Sequence, residues 1–146
     1  MNRKDINDPI DMEQVENGLD LMLDFDKLAK VAACGTPVVP VAVQDAKTQE
    51  VLIVAYANEE AVRYTLENRI AAFWSTSRNE LWVKGKTSGD VLEIVDVLVN
   101  CDQNSLVYKV NMRGKGSCHV RDAEGNTRFG CYYRKIKNGS LEMLDQ

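Results

Sequence analysis

The sequence holds one histidine and three prolines, and its four cysteines include no Cys-x-x-Cys pair. With a single histidine, any imidazole chemistry is confined to His119. Without a Cys-x-x-Cys pair, the spacing that announces a zinc ribbon is missing. No apolar run approaches the length of a membrane span, and the N-terminal MNRKDINDPIDMEQ lacks the apolar core of a secretory leader. The expected location is therefore cytoplasmic, with no membrane partner. Positive charge is not in excess either: 18 basic residues stand against 22 acidic ones, a net charge of −4. That gives no general electrostatic ground to expect a nucleic-acid partner. No low-complexity tract, repeat or linker divides the 146 residues. A single domain over 1–146 is expected, with 1–20 as a polar extension that is frayed or weakly helical.

What is present reads mostly as strands. VPVAVQDA ends in the turn DAKTQE, and VLIVAYA (51–57) is a continuous β-branched run of the buried-strand kind. Asn58 then offers an N-cap to EEAVRYTLENR, with Glu59 and Glu60 in the first turn and Ala61, Val62, Thr65 and Leu66 at helical spacing. This is the one firm helix. Residues 19–32 suit a short helix or an extended entry segment. AAFWSTS, ELWVKG, VLEIVDVLVN and SLVYKVNM follow as strands, the third with one bulge. The expected class is α+β, β-rich.

In a reducing compartment the thiols read as metal ligands or core residues rather than disulfides. Cys101 closes a strand in VNCDQNSLVYKV, Cys118 and His119 follow the turn GKG, and Cys131 follows a loop containing DAEGN. Zinc takes sulfur and nitrogen donors, and three protein ligands leave one position open for water. Spacing alone leaves metal binding and unrelated buried thiols both open. Cys34 reads as a small buried hydrophobe beside a turn. FWSTSRNELWVKGKTSG (73–89) gathers hydroxyls, Gly amides, Arg78, Lys84 and Lys86, the groups that hold phosphate, although a solvated hairpin has the same composition. Trp74 is expected in the core.

Taken in order, VLIVAYANEEAVRYTLE, FWSTSRNELWVKGKTSG, VNCDQNSLVYKV, and CH followed by CYYR make a distinctive series. From about Val38 to Arg134 the chain resembles the phosphoribosyl-AMP cyclohydrolase family. The resemblance implies a Zn2+- and Mg2+-dependent hydrolase of histidine biosynthesis. Its reaction opens the purine ring of phosphoribosyl-AMP between N1 and C6, giving the phosphoribosyl-formimino aminoimidazole carboxamide ribotide. It also implies an intertwined homodimer with the metal site shared between subunits. Cys101 of one subunit, and Cys118 and Cys131 of the other, then bind zinc, and His119 transfers protons. Arg78, Lys84, Thr87, Ser88 and Gly89 are assigned to substrate phosphate or ribose, Arg134 is a further candidate, and Trp82 stacks on the base or packs in the core.

Three departures mark this chain. The family usually carries Asp-Cys-Asp-x-Asp for magnesium, whereas here Asn100 and Asn104 flank the remaining Asp102, which weakens the expected magnesium site. Lys86 stands where the family often has Glu, and the loop between Cys118 and Cys131 is longer than usual. Two alternatives follow: a related zinc hydrolase acting on a different purine-like nucleotide, and a non-catalytic zinc-stapled module with His119 as fourth ligand.

Overall fold

The computed structural model describes residues 10–144, so the start of the expected 1–20 extension lies outside the described residues. The rest of that extension is a short helix, α1 (Met12–Asn17), capped by Asp11, whose carboxylate accepts from Glu13 N at 3.1 Å. Residues 19–32 supply α2 (Lys27–Ala32) after an extended entry. Then come β1 (Val39–Asp45), β2 (Val51–Ala57) and α3 (Glu59–Asn68). The strands β3 (Ala72–Ser75), β4 (Glu80–Val83), β5 (Leu92–Val99) and β6 (Leu106–Met112) follow. A closing hairpin of β7 (Arg134–Lys137) and β8 (Ser140–Met143) ends the described chain. The architecture is α+β and β-rich, with α3 the longest helix among the described residues.

Four strands form one sheet in the order β2-β1-β6-β5, with β1 and β6 parallel and the other neighbours antiparallel. Pro40 is tolerated in a central strand because the β6 pairing starts one residue later, at Val41–Leu106. The bulge expected in VLEIVDVLVN falls between Ile94 and Asp96. There the Arg69 guanidinium donates to the Val95 carbonyl at 2.9 Å, satisfying the group the bulge frees. The strand VLIVAYA is less buried than its composition suggests. It forms the sheet edge, and Val54 pairs with Ala42 on the face away from the core, leaving Val54 half exposed.

The core fills with Val41, Val43, Leu52, Phe73, Leu92, Tyr108 and Val110, all fully buried, with the Phe73 and Tyr108 rings 5.7 Å apart. Asn58 caps α3 as expected, accepting from Ala61 N at 2.9 Å. Buried Thr65 then ties α3 to β3: its hydroxyl donates to the Ala61 carbonyl at 2.9 Å and accepts from Ala72 N at 3.0 Å. Thr65→Val would strand the Ala72 amide in a dry core. Chemical denaturation should show a loss of about 1–3 kcal/mol with an unchanged m-value.

Candidate functional site

The site is built where the chain leaves β6. Gly116 presses against the returning strand so closely that a Cβ there would lie 2.2 Å from the Arg128 carbonyl oxygen. Ser117 N donates to the Arg128 and Phe129 carbonyls at 3.1 and 3.0 Å, and the Ser117 hydroxyl donates to Phe129 O at 2.6 Å. The longer loop beyond is itself stitched: Arg121 bridges Thr127, and Asp122 caps a turn that Gly125 closes at φ +82°. Cys131 N donates to Leu52 O at 2.8 Å, which docks the far end on β2.

This folding brings two thiols together. Cys118 is buried, lies near Cys131, and accepts a hydrogen bond from Val120 N at 3.4 Å. The neighbouring Cys131 thiol, able to donate its proton toward Cys118, is the main reason the Cys118 pKa falls to about 6, and the same sharing pushes Cys131 upward. Lys84 is buried beside them, and that burial pulls its ammonium below the ordinary lysine value against the opposing charge of Asp90 and the two sulfurs. A thiolate paired with a thiol, beside a cation, is a donor set suited to zinc.

Cys101 is not part of this cluster. It lies exposed in the β5–β6 turn, and among the described residues no group of three His, Cys, Asp or Glu side chains converges within one chain. The same turn consumes the asparagines. The Asn100 side-chain oxygen accepts from Asn104 N at 2.9 Å and Ser105 N at 3.0 Å, and its amide donates to Asn104 Oδ1 at 2.7 Å. The Asn100 oxygen is spent on holding the turn, the Asn104 oxygen accepts one bond within it, and Asp102 is exposed beside them. These residues do not fit a magnesium site.

A cleft of about 740 Å³ opens over the thiols, lined by Arg78, Trp82, Lys84, Ser117, His119 and Cys131 among others. Trp82 is half in the core, its ring 5.4 Å from that of Phe73, and half open to the cleft. Trp74, expected inside the core, instead lines the cleft and donates from its indole to Asn79 Oδ1 at 3.0 Å, because the β3–β4 turn needs that bond. Thr87, Ser88 and Gly89 do not line it. They build the turn after β4, where Gly89 N donates to Gly85 O at 2.8 Å and Ser88 caps Asp90 N. Arg134 is turned to the N-terminal segment, donating to Gly18 O at 2.8 Å while lying 4.9 Å from the Tyr133 ring centroid. Cys34 is half buried and points its thiol at Thr36 O.

His119 follows Cys118 directly but faces outward, its side chain 79% exposed and its Nε2 3.1 Å from Glu16 Oε1. It does not close a four-ligand cage with the two thiols, as a zinc-stapled module requires. Sequence reasoning missed Glu16, Met12 and Lys27, which also line the cleft. Glu16 and Met12 come from a polar stretch whose only local signal is the weak helix cap at Asp11, and Lys27 opens α2.

A family model described as phosphoribosyl-AMP cyclohydrolase matches residues 53–133. The phosphoribosyl-AMP cyclohydrolase of Chlorobium chlorochromatii is 45% identical over 108 residues, which cover 73% of this chain and 74% of the relative. That of Archaeoglobus fulgidus is 45% identical over 103 residues, 70% of this chain and 89% of the relative. That of Brucella anthropi is 38% identical over 138 residues, reaching 92% of this chain and 88% of the relative.

Proposed function

Because the chain belongs to the phosphoribosyl-AMP cyclohydrolase family, whose members are hydrolases of histidine biosynthesis, we propose that it opens the purine ring of phosphoribosyl-AMP at N1–C6 with zinc bound at the Cys118–Cys131 pair. The observation that carries this reading is the placement of the neighbouring Cys118 and Cys131 thiols, a buried cation and the lone imidazole at one cleft, with Cys131, Lys84 and His119 lining it. Zinc, held by Cys118 and Cys131 with Cys101 from a second copy of the chain, would supply Lewis acidity and lower the pKa of a water molecule it binds.

The protein's own side chains divide the remaining work. His119 accepts the proton of the attacking water and delivers it to N1 as the N1–C6 bond breaks. Lys84 offsets the surplus negative charge of three thiolates around a divalent ion, which otherwise lowers its Lewis acidity. Arg78 and the neighbouring hydroxyls of Ser75, Thr76 and Ser77 receive a phosphate at the cleft rim. The exposed part of Trp82 stacks on the base. No step passes through magnesium.

The test is a spectrophotometric assay with phosphoribosyl-AMP on zinc-loaded protein, with magnesium titrated in. Turnover that a zinc chelator abolishes, and that magnesium leaves unchanged, is the expected result. A folded, zinc-bound protein with no turnover would move the assignment to a different purine-like nucleotide.

A further inference from the structure

We propose that Glu16 is a positioning residue: its carboxylate holds the His119 imidazole in one orientation and one tautomer at the cleft. This rests on the reading of His119 as the proton-transfer residue. An ionised carboxylate offers only acceptors, so at 3.1 Å from Glu16 Oε1 the His119 Nε2 must be the donor. The other ring nitrogen, Nδ1, is then the one that carries the lone pair.

The contact is not an accident of a loose end. The Tyr133 hydroxyl donates to the Glu16 carbonyl at 2.6 Å, Arg134 to the Gly18 carbonyl at 2.8 Å, and Leu141 N to the Leu19 carbonyl at 2.8 Å. Three donors from the chain that follows Cys131 thus pin the N-terminal segment at the end of α1 and just beyond it. The chain that leaves Cys131 runs directly into the residues that hold Glu16 beside the imidazole. His119, at 79% exposed, has no other hydrogen-bond partner among the described residues that could fix its ring.

Because the imidazole is largely exposed, solvent screening leaves the pair little to add to stability, and its effect is on geometry. Glu16→Ala should lower kcat by about 10- to 100-fold with KM changed by less than about threefold, at an unchanged melting temperature. Glu16→Gln keeps an acceptor oxygen at the same reach and should retain most of the wild-type kcat. The single histidine gives a readout independent of turnover: with 15N-histidine labelling, the ring signals come from His119 alone. The wild-type neutral ring should be a pure Nε2–H tautomer that relaxes to the mixed population of a free imidazole in Glu16→Ala. Equal kcat in Glu16→Ala and wild type, equal loss in the Ala and Gln variants, or an unchanged tautomer signature would each overturn the proposal. An inactive wild type would instead count against the family reaction and leave the tautomer measurement to decide the positioning role.

Discussion

Cys118→Ser is expected to lose bound zinc and turnover together while keeping its fold. The substitution changes one atom in a buried position, so packing is nearly preserved and the Val120 amide still meets an acceptor. What is lost is the donor. A serine hydroxyl is a hard, neutral ligand that stays protonated at neutral pH, whereas Cys118 ionises near 6 with Cys131 donating to it. One chain then offers only the Cys131 sulfur, which cannot keep zinc against a chelating buffer. Lewis-acid assistance contributes several kcal/mol to such hydrolyses, so kcat should fall by at least about 10³-fold. Zinc content by atomic emission and turnover, measured on one preparation with its circular dichroism spectrum, decide the matter. Full activity in this variant would end the metal mechanism.

His119→Ala should separate chemistry from metal binding. The side chain is exposed and contributes nothing to the core, so melting and zinc content are expected to match wild type. Turnover should nevertheless drop by about 10²- to 10⁴-fold, the range for losing a positioned proton-transfer group. The opposite pattern, loss of zinc on removing the imidazole, belongs to a stapled module in which His119 is the fourth ligand. Measuring kcat and zinc stoichiometry side by side therefore distinguishes an enzyme from a binding module.

Local chemistry was legible in the sequence where neighbours within a few residues set the outcome. The Asn58 cap, the ten residues of α3 and the bulge in VLEIVDVLVN follow from spacing and capping alone. The parallel pairing of β1 with β6 does not, since it joins residues more than sixty positions apart that carry no mutual signal. The β7–β8 hairpin had a cue in Asn138-Gly139, both at positive φ as a two-residue turn demands, inside a stretch whose charges disguise the strands. At the site, Cys131, His119, Lys84, Arg78 and Trp82 were legible and do line one cleft, with Cys118 buried next to Cys131. Thr87, Ser88 and Gly89 lie outside the cleft of one chain, in a tight turn built from the same residue types that hold phosphate. Glu16 had no such signature. Its place depends on donors at Tyr133 and Arg134, and a polar helix of six residues shows no amphipathic pattern that would announce them.

The separation of Cys101 from the other two thiols has a consequence for dosage. In the zinc site proposed above the third sulfur comes from a second copy, so the first step toward activity would be an encounter between two identical chains. Below the dissociation constant of that pair, the working species grows with the square of the chain concentration rather than in proportion to it. Halving synthesis would then quarter the catalytic capacity, so output from this step would track expression more steeply than it would for an enzyme complete in one chain.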